Sequence, residues 1–276
     1  MDLASEIARN VGAALAEDVG GGDLTALLTS AESIASATVV SRRDTIVCGQ
    51  PWFEACYRRL DPRVIIDWHI AEGTKAGAGT TLCALNGPAR ALLTGERTAL
   101  NFLQTLSAVA TVTHRYVDAV TGTRAAIVDT RKTLPGLRIA QKYAVRIGGG
   151  VNHRLGLYDG ILIKENHIAA AGGVGAALGA ARKIAPPGIW IQIEIENLAQ
   201  LREALEHGAR MILLDNMDLV TLRAAVEFAA GRAALEASGG ITLENVRAVA
   251  ETGVDRISIG SLTKDIRAAD FSLRFG

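Results

Sequence analysis

The sequence predicts an α/β protein whose C-terminal half is a parallel sheet, closed or nearly closed into a barrel. From about residue 120, short apolar runs alternate with segments of helical periodicity. This repetition of strand and helix is typical of a parallel sheet covered on both faces. At least six such strands within roughly 150 residues suit a barrel better than an open sheet, and periodicity alone leaves closure of the barrel open.

The N-terminal part shows a different sequence pattern. Two β-branched runs bounded by glycine, residues 35–49 and 63–73, predict strands joined by turns. Residues 88–119 then repeat apolar side chains at helical spacing, which predicts one long helix.

The C-terminal strands are predicted from short apolar runs, and helices are predicted between them. The runs are AAIVD (125–129), GILIK (160–164), WIQIEIE (190–196), MILLD (211–215), ALEAS (234–238) and RISIG (256–260).

Composition excludes several classes of function. The 276 residues carry no net charge and only 4% aromatic residues, so neither a basic surface for nucleic acid nor a base-stacking platform is expected. No apolar run approaches the roughly 18 residues of a membrane span. The N-terminus lacks the pattern of a signal peptide, and three cysteines without metal-binding spacing predict reduced, buried thiols in a cytoplasmic protein.

Polar residues and glycine follow the predicted strands where each strand ends. Ligands bind at the carboxyl ends of the strands in parallel α/β folds, so these residues predict one binding rim. The strand-end residues are Asp129, Lys164, Glu194, Glu196, Asp215, Ser238 and Gly260.

Cations are concentrated after the first two of these strands. Arginine binds carboxylates through two nitrogens and lysine acts as a mobile point charge, so the cluster predicts an anionic ligand. Its members are Arg131, Lys132, Arg138, Lys142, Arg146, His153, Arg154 and Lys164.

Two further features predict a second ligand. Glu194 and Asp215 suit Mg²⁺ or sugar hydroxyls. The turns in EASGGI (236–241) and SIGSLT (258–263) are predicted to lead from the last two strands into helices, where backbone N–H groups bind phosphate. The glycine-rich stretch 171–183 does not fit a dinucleotide-binding loop and is predicted to start a helix.

Long motifs in the chain resemble the quinolinate phosphoribosyltransferase family, also called nicotinate-nucleotide pyrophosphorylase. The resemblance runs from about residue 10 to the C-terminus. It is carried by EDVGGGDLT (17–25), GERTALNFLQ (95–104), DTRKTLPGLR (129–138), KYAVRIGGGVNHRLGLYDGILIKENH (142–167), EIE (194–196), ILLDN (212–216), EASGGI and SIGSLT.

The resemblance implies an N-terminal α/β sandwich at residues 1–115 and an open α/β barrel with the active site at 116–265, with the tail 266–276 packing back on the first domain. It also implies a homodimer with a shared active site. The implied reaction converts quinolinate and phosphoribosyl pyrophosphate into nicotinate mononucleotide, pyrophosphate and CO₂ with Mg²⁺, on the de novo route to NAD.

Site residues follow from the motif positions. The resemblance places Arg131, Lys132, His153, Arg154 and Lys164 at quinolinate and the adjoining phosphate, and Arg97 in the partner's site. It places Glu194 and Asp215 on the ribose and metal side, and Ser238, Gly239, Gly240, Gly260 and Ser261 at the 5′-phosphate. The implied catalytic residues are Lys132, Lys164, Glu194 and Asp215.

Two positions depart from the family pattern. Lys264 stands where many members have histidine, and Gln192 stands where an acidic residue is frequent.

Three alternative functions stay open. One alternative is a paralogue of the same fold, such as the molybdenum-transport-associated relative. Another is a nicotinate phosphoribosyltransferase, which the number of cations disfavours. The third is a non-catalytic sensor of a phosphorylated ligand, which has no need of Glu194, Asp215 and Lys164 together.

Overall fold

The computed structural model describes residues 2–276, which form two compact units. The first unit contains the chain up to His114 together with Thr133–Gly149 and Leu262–Gly276. The second contains Arg115–Lys132 and Gly150–Ser261. Neither unit is therefore a single continuous stretch of sequence.

Residues 2–147 form four α-helices, a short 3₁₀ helix at Ala26–Leu28 and six strands. These elements are α1 (Leu3–Val19), β1 (Ile34–Ser41), β2 (Thr45–Ile46), α2 (Gln50–Leu60), β3 (Ile65–Trp68), β4 (Lys75–Ala76), β5 (Thr81–Pro88), α3 (Ala89–Ala119), β6 (Ala126–Val128) and α4 (Arg138–Ile147).

The remainder alternates strand and helix. Its elements are β7 (Ile161–Ile163), α5 (Glu165–Ala171), α6 (Val174–Ile184), β8 (Ile191–Ile195), α7 (Leu198–Glu206), β9 (Met211–Asp215), α8 (Leu219–Ala229), β10 (Ala234–Ser238), α9 (Val246–Ala250), β11 (Arg256–Ser258), α10 (Ser261–Lys264) and β12 (Phe271–Phe275).

The first unit is built on a four-stranded antiparallel sheet with the order β12-β1-β5-β3. Its core contains Trp52 and Phe53 of α2 and the leucines that α3 presents at helical spacing, including Leu92 and Leu103. Each fully buried leucine stabilises the fold by about 2 kcal/mol, so packing holds this helix more than intrinsic propensity does.

The second unit is built on a six-stranded parallel sheet with the order β6-β11-β10-β9-β8-β7. A single parallel bridge between Val128 and Val151 extends the sheet beyond β6. Within residues 2–276 no ladder joins β6 to β7, so the barrel is open between its first and last strands. This confirms the predicted α/β class with an N-terminal sheet domain and an incomplete parallel barrel.

The predicted elements agree closely with the observed ones. β9 and β10 coincide with the predicted runs, and the long helix begins one residue later than expected, at Ala89. The glycine-rich stretch forms the start of α6, whose N-cap is Gly173, as predicted. Cys48, Cys56 and Cys83 are buried free thiols, and within residues 2–276 no helix has the length and apolarity to cross a bilayer.

Candidate active site

The candidate site is the edge of the parallel sheet where the six strands end. Because all six strands run in the same direction, their carboxyl ends share one edge. The predicted residues of the second unit lie there: Arg131, Lys132, His153, Arg154, Lys164, Glu194, Asp215, Ser238, Gly239, Gly240, Gly260 and Ser261.

Arg154 and Arg131 form the cationic side of this edge. Arg154 is only 9% exposed, and its NH1 donates to the Gly160 carbonyl at 3.0 Å. Burial lowers the pKa of the Arg154 guanidinium, and the positive charge of Arg131 lowers it further. The nearby carboxylate of Asp159 acts in the opposite direction and raises the Arg154 pKa. A buried guanidinium that also feels a second positive charge favours a bound anion.

Asp129 holds the segment that carries Arg154. The sequence placed Asp129 among the strand-end residues of the rim but gave it no catalytic or binding role. Its carboxylate is buried and accepts hydrogen bonds from Asn152 Nδ2 at 2.6 Å and from the His153 N–H at 2.8 Å. A fully buried acidic residue at the end of β6 stabilises the turn that leads toward Arg154. The position of Asp129 after an apolar strand was the available signal.

The His153 side chain is only 7% exposed. Its Nδ1 accepts the N–H of Arg154 at 2.8 Å, and its Nε2 lies 2.9 Å from Oε1 of Gln192. Both ring nitrogens thus have partners inside the protein.

Lys132 lies against the glycine that follows β11. A Cβ built on Gly260 would come within 3.0 Å of Lys132 Cδ, so the absence of a side chain makes room for the lysine stem. The Lys132 N–H donates to Thr130 Oγ1 at 3.0 Å. The two motifs DTRKTLPGLR and SIGSLT therefore meet at this point.

Lys164 and Glu194 form an ion pair between the ends of β7 and β8. Lys164 Nζ lies 3.0 Å from Glu194 Oε2 and 3.2 Å from Oε1. The carboxylate is 13% exposed and the ammonium group is partly exposed. The ion pair therefore joins Lys164, which is predicted to bind quinolinate, to Glu194, which is predicted to lie on the ribose and metal side.

Asp215 ends β9 beside the glycine turn. Asn216 has a positive φ of 53°, its N–H donates to the Ser238 carbonyl at 2.9 Å, and its Nδ2 donates to Asp215 Oδ2 at 3.3 Å. A Cβ at Gly239 would overlap the Asn216 side chain. Asn216 was part of the ILLDN motif but was not among the predicted site residues.

The turn after β10 does not lead directly into a helix, so that part of the sequence prediction is wrong. Gly239 and Gly240 have φ values of 99° and 60°, and α9 begins only at Val246. The intervening segment is held by Asn245, whose Nδ2 donates to the Gly240 carbonyl at 3.1 Å. The Gly239 and Gly240 N–H groups donate to no other residue within 2–276, so an anion can bind them without a helix dipole.

The other predicted residues lie in the first unit. Arg97 is exposed on α3, and Arg138, Lys142 and Arg146 lie on α4. Lys142 is fully buried. The rim of the second unit itself contributes Arg131, Lys132, Arg154 and Lys164.

The carboxylates of the rim fit only part of a metal site. Within residues 2–276 no group of three or more His, Cys, Asp or Glu side chains is arranged to hold an ion. Glu194 is already paired with Lys164, and Asp215 offers a second carboxylate. Because Mg²⁺ takes one or two carboxylates together with phosphate and water, this donor set fits an ion that arrives with a polyphosphate.

The fold and the rim are those of a parallel α/β-barrel protein whose cationic edge and glycine turn suit anionic ligands. Comparison with known proteins then gives the family. The models of the N-terminal and C-terminal domains of quinolinate phosphoribosyl transferase match residues 23–107 and 109–274. The chain belongs to the quinolinate phosphoribosyl transferase family.

Individual relatives agree with this assignment. The chain is 44% identical over 257 residues to a probable nicotinate-nucleotide pyrophosphorylase (carboxylating) of Bacillus subtilis, covering 93% of this chain and 89% of that protein. It is 43% identical over 270 residues to the corresponding enzyme of Mycobacterium leprae, covering 94% of each. The nicotinate-nucleotide pyrophosphorylase structure from Francisella tularensis superposes with a TM-score of 0.95 at 42% identity, covering 99% of this chain and 96% of that one.

Proposed function

We propose that this protein transfers a phosphoribosyl group from phosphoribosyl pyrophosphate to quinolinate, with decarboxylation to nicotinate mononucleotide in NAD biosynthesis. The observation that carries the proposal is the position of the buried Arg154 at the carboxyl edge of the sheet, the edge to which Arg131 and Lys164 also belong. Several cations at one edge suit a dianion such as quinolinate. The family membership of the whole chain supports the same reaction.

The rim residues have distinct roles in the proposed reaction. Arg131 and Arg154 hold the two carboxylates of quinolinate and orient the ring nitrogen toward the anomeric carbon. The nitrogen–carbon bond forms as the bond to pyrophosphate breaks, through an oxocarbenium-like state that the Glu194 carboxylate stabilises. Lys164 keeps Glu194 in place through the observed ion pair.

Decarboxylation follows from the new positive charge on the ring nitrogen. The bond between the ring and the carboxylate next to the nitrogen breaks, and its electron pair stays on the ring carbon, stabilised by the N-glycosylated nitrogen. A proton then replaces the lost CO₂. The protein contributes by holding the remaining carboxylate with its cations, so that the ring keeps its position.

Mg²⁺ is proposed to accompany phosphoribosyl pyrophosphate, with Glu194 and Asp215 as its protein ligands. When bound, it neutralises the charge that develops on pyrophosphate. Gly239 and Gly240, with Gly260 and Ser261, are proposed to bind the 5′-phosphate through backbone N–H groups. A cytoplasmic location is proposed for the enzyme.

A homodimer with Arg97 contributing to the partner's site is also proposed. One turn before Arg97 on α3, Thr94 Oγ1 donates to Asp23 Oδ2 at 2.9 Å, which ties the segment 23–28 to this helix. In that segment Leu24 is 83% exposed and Leu28 is 87% exposed. Exposed apolar residues held beside a cation support an interface at this surface.

The test is the loss of quinolinate absorbance in the ultraviolet with and without phosphoribosyl pyrophosphate. We expect consumption only when both substrates and Mg²⁺ are present, with release of one CO₂ per turnover. Turnover of nicotinate in place of quinolinate would favour the monocarboxylate alternative. Binding of both ligands without turnover would favour a sensor.

A further inference from the structure

A chain of buried polar side chains runs through the interior of the second unit, below the rim. Gln192 of β8 and Glu236 of β10 are each only 1% exposed. Gln192 Nε2 donates to Glu236 Oε2 at 3.2 Å, and Gln192 Oε1 lies 2.9 Å from His153 Nε2. Strand interiors are usually apolar, so three linked polar side chains require an explanation.

The hydrogen bonds determine which protons the chain carries. Because the Arg154 N–H donates to His153 Nδ1 at 2.8 Å, Nδ1 is unprotonated. Nε2 therefore carries the proton of a neutral imidazole and donates it to Gln192 Oε1. The Gln192 amide then accepts from His153 through its oxygen and donates to Glu236 through its NH₂ group. The Arg154 N–H at one end and the Glu236 carboxylate at the other thus determine the direction of each hydrogen bond.

Glu236 terminates the chain as a buried carboxylate. Arg256 Nε donates to its Oε2 at 2.9 Å. Its Oε1 has no hydrogen-bond partner within residues 2–276 and lies 3.8 Å from His153 Nε2. Since a well-packed apolar residue commonly replaces a buried ion pair without loss of stability, packing alone does not account for this one.

We propose that Gln192 and Glu236 are positioning residues that hold Arg154 ready for its anionic ligand. Glu236 orients Gln192, Gln192 fixes the ring of His153, and Nδ1 of His153 fixes the backbone N–H of Arg154. The Gly160 carbonyl holds the Arg154 side chain from the other end. The part of this inference that concerns quinolinate rests on the proposed function, whereas the tautomer of His153 does not.

The positioning role predicts a selective loss of quinolinate binding. Gln192→Met keeps the length of the side chain and removes both hydrogen bonds, and Glu236→Gln keeps its shape and removes the charge. We expect the quinolinate Kd, measured by isothermal titration, to rise about three- to tenfold in Gln192→Met and less in Glu236→Gln. The KM for quinolinate should rise in parallel, while the KM for phosphoribosyl pyrophosphate stays within about twofold.

A matched control separates this effect from a general loss of a glutamine hydrogen bond. Gln50 of the first unit donates from Nε2 to the Ile70 carbonyl at 2.7 Å. Gln50→Met therefore removes a comparable bond away from the chain of polar groups, and it should leave quinolinate binding unchanged. If Gln192→Met and Gln50→Met weaken binding equally, or if Gln192→Met weakens both substrates alike with a lower Tm, the inference is overturned.

Two substitutions of His153 test whether its Nδ1 contact with the Arg154 N–H carries the effect on quinolinate binding. Asparagine places an amide oxygen near the position of Nδ1 and can still accept the Arg154 N–H, whereas glutamine reaches the position of Nε2. We expect His153→Asn to retain more quinolinate affinity than His153→Gln. The opposite order would show that the bond to Gln192 alone determines the affinity and would overturn the proposed link through Nδ1.

The tautomer is measurable without any substrate. Nitrogen-15 NMR of labelled histidine, with the signal assigned by its loss in His153→Asn, should show the Nε2–H tautomer of a neutral ring. A protonated ring or the Nδ1–H tautomer overturns the inference even if the enzyme is active. Conversely, wild-type protein that shows the Nε2–H tautomer but fails to turn over quinolinate would reject the proposed function and leave the orientation of the polar chain standing.

Discussion

Replacement of Gly240 by alanine tests the proposed phosphate site with little damage to the fold. A Cβ at Gly240 meets no atom within 4 Å, so the structural cost comes only from its φ of 60°. Such a left-handed conformation costs about 1–2 kcal/mol for alanine. For a chain of this size, each kcal/mol lowers Tm by roughly 2–4 °C.

The effect on ligand binding should be much larger than the effect on stability. The added Cβ projects from the exposed turn whose N–H groups are proposed to bind the 5′-phosphate, so it crowds the anion. We expect the Kd for phosphoribosyl pyrophosphate to rise at least about tenfold, which corresponds to about 1.4 kcal/mol. The quinolinate Kd should stay within about twofold because its proposed contacts come from other strands. Gly240→Val should enlarge the difference.

Gly231 provides a matched control for backbone strain. It has a φ of 75°, and a Cβ there also meets no atom within 4 Å, but it precedes β10 at the opposite edge of the sheet. Gly231→Ala should lower Tm by a similar amount and leave both affinities unchanged. Differential scanning calorimetry and isothermal titration measure the two effects. Equal loss of both affinities in Gly240→Ala, or an equal loss of phosphoribosyl pyrophosphate binding in the two variants, would refute the reasoning.

Three further predictions use standard assays. Arg131→Ala should raise the KM for quinolinate at least about tenfold and that for phosphoribosyl pyrophosphate less, since a charge-assisted hydrogen bond contributes about 1.5–3 kcal/mol; similar changes in both KM values would contradict its assignment to quinolinate. Mixing Arg97→Ala chains with Lys164→Ala chains should restore activity absent from either parent, because each mixed dimer contains one intact site; no gain after confirmed subunit exchange would count against a shared site. Burial raises the pKa of Cys56 and Cys83 to about 12, so both thiols should resist iodoacetamide in native protein at pH 8 and react after unfolding. Burial of these thiols contributes stability at pH values below their unfolded pKa near 9, and this contribution is lost as pH rises toward the folded pKa of about 12. The free energy of unfolding, measured by urea titration, should therefore fall between about pH 9 and pH 12.

The strands of the second unit were predictable because their apolar runs are short and bounded by polar residues. β9 and β10 match the predicted residues in full. Because the strands are parallel, the polar residues that follow them lie side by side along one edge of the sheet. The assignment of Thr133–Gly149 to the first unit was not predictable. Periodicity shows that a segment is helical but does not show which core its apolar face joins.

The residue types of the candidate site are visible in the sequence, whereas the hydrogen bonds between them are not. The cations, carboxylates and glycines of the rim were visible as residues at strand ends. The hydrogen bonds beneath the rim join residues that are distant in sequence, such as Gln192 and Glu236, 44 residues apart. One signal was available in WIQIEIE, where alternation places Gln192 and Glu194 on the same face of β8, so that a polar face inside a barrel strand could have been inferred.

The pairing of β12 with β1 has a consequence for how the protein is made. Ala37 of β1 lies opposite Phe275, and the whole of the second unit is encoded between the two strands. While the ribosome synthesises that intervening sequence, the nascent first unit has β5 beside β1 on one side and open backbone groups on the other. Such an unpaired edge can recruit strands from other chains. Newly made protein should therefore be most prone to aggregation, and most dependent on chaperones, in the interval before β12 leaves the exit tunnel and pairs with β1.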